Sequence, residues 1–190
     1  MIPPIYQSYI EQQVSARQSL LLSLLITVLH TIHDVRLETI AEALPLPILF
    51  KSRRKKFNGS LRWGMDVNRL WLGLFAFFVR QQQVSVDSPV YVAIDRTTWG
   101  DINLLVVSFI WRKRGIPLYW RRLATLGNSN LPVQKKALKV ALSALCDYKV
   151  VVLGDREFCS VALAGWVNNQ RIFAYARRNR PTFSLTMKTG

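Results

Sequence analysis

Acidic side chains are scarce in this sequence. Across 190 residues, 11 Asp and Glu stand against 26 Lys and Arg, a formal net charge of +15, and no carboxylate side chain follows Glu157. That excess charge must be solvated or met by an anionic partner, and nucleic-acid phosphate is the commonest partner at a pI near 10.5. Cysteine is nearly absent as well. Cys146 and Cys159 are the only two, without C-x-x-C spacing, so neither a disulfide framework nor a zinc site follows and a reducing cytoplasm is the default. Long apolar runs are missing too. Leu20–Leu29 and Leu70–Val79 each reach about half of the ~20 residues that span a bilayer. The N-terminal Met1-Ile2-Pro3-Pro4-Ile5-Tyr6 has no basic region followed by an apolar one, so neither a membrane span nor a secretory signal is expected. Phosphate loops, G-x-G-x-x-G, G-x-S-x-G and H-E-x-x-H are all lacking.

What is present divides near Gln81-Gln82-Gln83, a polar stretch that predicts a boundary at residue 86. Residues 1–86 carry ten basic and five acidic residues, and 87–190 carry sixteen and six, so both parts are basic. The first part reads as helical. Val14, Leu20, Leu21, Leu24, Leu25, Val28 and Leu29 recur at helical spacing and predict a helix over 10–34. His30 and His33 close it at i, i+3, with no third ligand near except Asp34, so they read as surface histidines. A short helix over 36–44 ends at Pro45 and Pro47. A basic segment then follows, Lys51-Ser52-Arg53-Arg54-Lys55-Lys56, before a third helix over 62–80. Lys51, Arg53, Arg54, Lys55 and Lys56 are the candidate DNA-phosphate contacts; a solvated loop is the plainer alternative.

After Pro89 the period changes. Val90–Ile94 predicts a strand and Ile102–Trp111 a strand covered on both faces. A hairpin turn at 112–115 leads to a third strand over 116–123. Asn130 and Pro132 open a helix running to Cys146, with Leu138, Ala141, Leu142 and Leu145 inward. Strand 149–153, helix 160–169 and strand 171–176 complete the order βββαβαβ, a mixed α/β sheet. In that topology the first and fourth strands can run side by side. Asp95 and Asp155 would then sit together at their C-terminal ends, and two hard carboxylates in a basic setting suit Mg²⁺. The plainer readings are a turn residue paired with Arg96 for Asp95 and a helix cap for Asp155.

Four motifs in order carry a further likeness: Ala93-Ile94-Asp95-Arg96-Thr97-Thr98-Trp99, Ile116-Pro117-Leu118-Tyr119-Trp120, Gly127-Asn128-Ser129-Asn130 and Gly154-Asp155-Arg156-Glu157-Phe158. Together they resemble bacterial IS4-type insertion-sequence transposases over about residues 37–182. The resemblance implies a ribonuclease-H-like core and makes Asp95 and Asp155 the first two catalytic and metal-binding members of a D-D-E triad. It also implies Mg²⁺-dependent cleavage and strand transfer of transposon ends, binding of double-stranded terminal inverted repeats by the helical region, a homodimer on DNA, and a place on the bacterial nucleoid. The sequence departs from the family at the third carboxylate, a glutamate in a Y-x-x-R-x-x-x-E helix, which has no counterpart here. Glu157, two residues from Asp155, is a poor substitute. The expectation is therefore a C-terminally truncated transposase, with core 87–182 and a disordered tail 183–190, inactive by itself. The alternatives are a non-catalytic DNA-binding protein or inhibitor that occupies transposon ends, and a different ribonuclease-H-like nuclease.

Overall fold

A computed structural model describes residues 3–60, 67–124, 127–169 and 173–176. The tail expected at 183–190 and the start of the helix expected at 62 lie outside these residues. The chain divides into two compact units, Met1–Leu74 and Phe75–Gly190.

The first unit is helical. The helix expected over 10–34 is two helices, α1 (Pro4–Gln13) and α2 (Ala16–Ile32). Ser15 makes the break: its hydroxyl oxygen accepts from the Gln18 N–H while the Gln18 side chain accepts from the Ser15 N–H. This reciprocal cap starts a new helix where apolar periodicity alone reads as one. α3 (Leu37–Ala43) follows, and the basic segment is a helix, α4 (Phe50–Ser60), rather than a loop. Val28, Ile40, Leu44 and Phe57 pack together to join α2, α3 and α4. No single described helix is long and apolar enough to cross a membrane.

The second unit contains the sheet. α5 (Val67–Gln81) runs across the division, and its Phe75 and Val79 belong to the core of this unit. The sheet comprises β1 (Val90–Trp99), β2 (Ile102–Trp111), β3 (Arg114–Arg122), β4 (Val150–Gly154) and β5 (Phe173–Ala176), in the spatial order β3-β2-β1-β4-β5. β1 to β3 form an antiparallel meander, and β4 and β5 join in parallel beyond β1. α6 (Leu131–Ser143) and α7 (Val161–Asn169) make the connections. This is the mixed α/β sheet that the order βββαβαβ predicts. The inward residues of α6 are the expected ones, with Leu138 and Ala141 fully buried against Val92, Ile94, Leu105, Val107 and Phe109. Pro117 is tolerated inside β3 because the β2–β3 register shifts there, pairing Ser108 with Pro117 and Val107 with Tyr119.

The β2–β3 hairpin is closed by two residues, Arg112 at φ 46° and Lys113 at φ 67°. Left-handed backbone at both positions matches the strand twist but crowds the Cβ of an L-residue. Lys113→Gly is expected to raise stability by about 0.5–1 kcal/mol, read as a higher urea midpoint at unchanged slope. Arg112 is left in place in this variant because its guanidinium lies 5.5 Å from the centre of the Trp111 ring.

Candidate active site

β1 does not end at Asp95. It continues to Trp99, paired throughout with β2. What ends there is its pairing with β4, whose last rung is Ile94 opposite Gly154. Asp95 and Asp155 are thus the next residues on two adjacent parallel strands, which lie about 4.8 Å apart. Side chains of paired parallel residues point to the same face. Val90, Val92, Ile94, Val150 and Val152 all face the core, whereas Asp95 and Asp155 are both exposed. The alternation therefore delivers both carboxylates to solvent at one end of the sheet.

One oxygen of each carboxylate has a local partner, and of the two plainer roles only the Asp155 cap is taken, since Asp95 lies within β1 rather than in a turn. Asp95 Oδ1 accepts from the Arg96 N–H at 2.8 Å. Asp155 Oδ1 accepts from the Glu157 N–H at 3.0 Å, capping the short 3₁₀ turn Arg156–Phe158. Neither Oδ2 has a partner among the described residues. The Arg96 side chain does not pair with Asp95 as the turn reading supposes; its Nε donates to Glu157 Oε2 at 2.8 Å.

Glu157 is the centre of the arrangement. Its Oε1 accepts from both the N–H and the hydroxyl of Ser129, each at 2.7 Å. Ser129 is held in turn by Gln134 Nε2, which donates to its carbonyl at 3.0 Å and lies 3.1 Å from its hydroxyl. The Glu157 side chain is 8 % exposed and that of Arg96 24 %. Burial raises the Glu157 pKa, but the Arg96 guanidinium and the two Ser129 hydrogens outweigh it and hold the carboxyl below its ordinary value. The Arg96 pKa is raised, first by its hydrogen bond to Glu157 and by that charge, then by Asp155 and Asp95. Glu157 thus has both oxygens engaged. It ties together the strand after Asp95, the turn after Asp155 and the loop before α6.

Gly154 is where the turn gains its closeness. A Cβ there would lie 2.7 Å from the Phe158 Cβ and 3.4 Å from the Ile94 Cγ2, so a side chain would push away the turn that carries Asp155 and Glu157. Sequence motifs flagged Arg96, Ser129 and Glu157, but nothing in their spacing shows that they meet. Gln134 carried no signal, because a polar residue inside an apolar helix reads as surface until its partner is seen.

The two exposed Oδ2 atoms are hard donors of the kind a divalent cation takes, so Asp95 and Asp155 fit two positions of such a site. No group of three His, Cys, Asp or Glu that could hold a metal occurs among the described residues. The candidate DNA contacts lie on α4. There Lys51, Arg54, Lys55 and Lys56 are exposed, and Arg54 pairs with Glu38 at 3.0 Å. Arg53 differs: its guanidinium donates to the Glu42 and Leu44 carbonyls, both at 2.9 Å. It caps the C-terminal end of α3, so it is committed to the fold instead of being available to phosphate.

No family model matches the sequence, and no curated protein does. Among solved structures, the chain is similar to the Mos1 transposase catalytic domain determined with raltegravir and manganese, at 13 % identity over 56 % of this chain and 57 % of that one, with a TM-score of 0.34. It is also similar to the Mos1 strand transfer complex, at 12 % identity over 80 % of this chain and 56 % of that one, with a TM-score of 0.32. The chain spans a little over half the length of either structure. A likeness of this degree carries no functional weight.

Proposed function

We propose that this chain is a DNA-binding protein carrying the first two carboxylates of a D-D-E polynucleotidyl transferase of the IS4 transposase type. The observation behind it is the β1–β4 register, which sets Asp95 beside Asp155 at the open end of a ribonuclease-H-like sheet. Asp95 and Asp155 would hold Mg²⁺ through their free Oδ2 atoms. When bound, the ion would polarise a phosphoryl oxygen and favour attack at phosphorus.

The chain's own residues supply position. Glu157 neutralises Arg96, so that guanidinium is not left to compete for the two aspartates, and the Ser129 clamp keeps the two strand ends in register. Asp95 and Asp155 are two of the three carboxylates such chemistry uses. DNA binding is the activity the basic surface supports, with transposon ends as target and the bacterial nucleoid as setting.

The test uses a supercoiled plasmid and labelled duplexes bearing candidate terminal repeats. The chain should bind the duplexes and leave the plasmid intact with Mg²⁺ or Mn²⁺. Divalent-metal-dependent nicking that disappears in Asp95→Ala would show that two carboxylates suffice. Failure to bind any duplex would remove the proposal.

A further inference from the structure

Beside the carboxylates lies a cavity of about 410 Å³ whose polar lining consists of Arg121, Arg122, Asn128, Ser129 and Asn130. We propose that it binds a phosphodiester of the DNA backbone, which holds one strand next to Asp95 and Asp155. The proposal rests on the DNA-binding reading above and adds a specific site to it.

Charge is the first reason. The lining residues include two arginines and no Asp or Glu. The ion pairs among the described residues are Arg36–Asp34, Arg54–Glu38 and Arg96–Glu157, so neither Arg121 nor Arg122 is neutralised. Arg121 and Arg122 are adjacent on β3, so their side chains leave from opposite faces of the sheet. Yet both residues line this cavity at the strand end, and an anion bound there lowers the repulsion between their charges. A guanidinium presents a planar fork of N–H donors that matches the oxygens of a phosphate. Asn128 adds a side-chain amide. The cavity also lies at the start of α6, a 13-residue helix capped by Asn130, whose dipole favours negative charge there. The arginines carry the site, and the helix end adds to it.

Position is the second reason. Arg121 lies opposite Leu105, and Leu105 lies opposite Arg96 on its other side. Arg121 is therefore on the rung next to Asp95, two strand spacings or about 10 Å away, while alternation puts Arg122, in line with Leu104 and Thr97, on the same face of the sheet as Asp95. At a rise of about 3.4 Å per nucleotide, that separation corresponds to roughly three nucleotides of one strand. The two sites also share a wall. Ser129 lines the cavity and also donates both of its hydrogens to Glu157, which holds Arg96. A strand held at the arginines would thus be aligned with the carboxylate pair by the same loop.

The test compares wild type, the R121Q/R122Q double variant and the single variant R122Q, binding a labelled random-sequence duplex over a range of salt concentrations. Glutamine keeps length and polarity while removing charge, and thermal melting checks that each variant is folded. The slope of log affinity against log salt should fall in magnitude by about 1.8 in the double variant and about 0.9 in the single one. Affinity should drop at least tenfold in the double variant, with melting unchanged. Should the double variant not fold, R122Q alone decides the matter. Unchanged slope and affinity in a folded variant would overturn the site while leaving DNA binding intact. If the wild type binds no DNA, both readings fall. Titration with inorganic phosphate, followed at the Ser129 and Asn130 amide resonances, then separates a free-phosphate pocket, which would also overturn the proposal, from no anion site at all.

Discussion

Glu157→Ala is expected to destabilise the second unit by about 2–3 kcal/mol, measured by urea unfolding. Removing one partner of a buried ion pair costs about 3–5 kcal/mol because the other charge is stranded. Here Arg96 stays about a quarter exposed and recovers some solvation, which places the expected loss below that range. The N–H and hydroxyl of Ser129 lose their acceptor as well, and an unmet buried donor costs about 1–3 kcal/mol. Glu157→Gln keeps the shape and removes the charge, so it should fall between the variant and the wild type. Acid gives an independent readout. The carboxyl is held below its ordinary value of 4.5, so its stabilisation is fully present above that pH and is lost as pH falls through the lower folded value. Wild type should thus lose stability on acidification below about pH 4.5 more steeply than Glu157→Gln does. Equal slopes in the two proteins would show that the ion pair contributes nothing to folding.

Affinity for double-stranded DNA is expected to fall about a thousandfold between 50 and 200 mM salt. The proposed function assigns phosphate contacts to six side chains, each unit contributing its own: Lys51, Arg54, Lys55 and Lys56 on α4, and Arg121 and Arg122 at the end of β3. Each contact releases counterions worth a slope of about −0.9, so six give about −5. The surface pair of Arg54 with Glu38 is no obstacle, since exposed pairs are worth about 0–1 kcal/mol and exchange readily. Neutralising Lys51, Lys55 and Lys56 together should reduce the slope by about 2.7. Arg53→Ala should behave differently. Its guanidinium serves the carbonyls of Glu42 and Leu44, so the loss should appear as about 1–3 kcal/mol of stability with little change in the salt slope. A flat salt dependence in the wild type would remove the phosphate-binding surface from the account.

Much of the fold is local in origin and so is legible along the chain. Strand alternation, the Asn130–Pro132 cap and the inward Leu138, Ala141 and Leu142 each depend on neighbours a few residues away. They place β2 and α7 within a residue, and α6 at its start, though α6 ends at Ser143 and not at Cys146. Periodicity misleads where a short polar device overrides it. Val14 continues the apolar stripe of the first helix, yet the Ser15–Gln18 cap is stronger than one shared face, so the helix breaks. Charge density misleads in the same way at 51–56, where a run that reads as a solvated loop is a helix because Phe57 on its inner side is buried with Val28, Ile40 and Leu44.

The candidate site divides along the same line. By itself the sequence determined that two aliphatic runs are each followed by an aspartate, Asp95 and Asp155, and that the molecule is strongly basic. Those are properties of composition and of a period of two, and they need no partner to be read. Only the tertiary structure decided that Arg96 turns to Glu157 rather than to Asp95, that Ser129 closes the clamp, that Arg53 is a cap and that Arg121 shares a rung with Arg96. Each of these last facts joins residues 9 to 61 positions apart. Hydrogen bonds and charges act over a few ångströms of space, and separation along the chain sets no such distance until the sheet has formed.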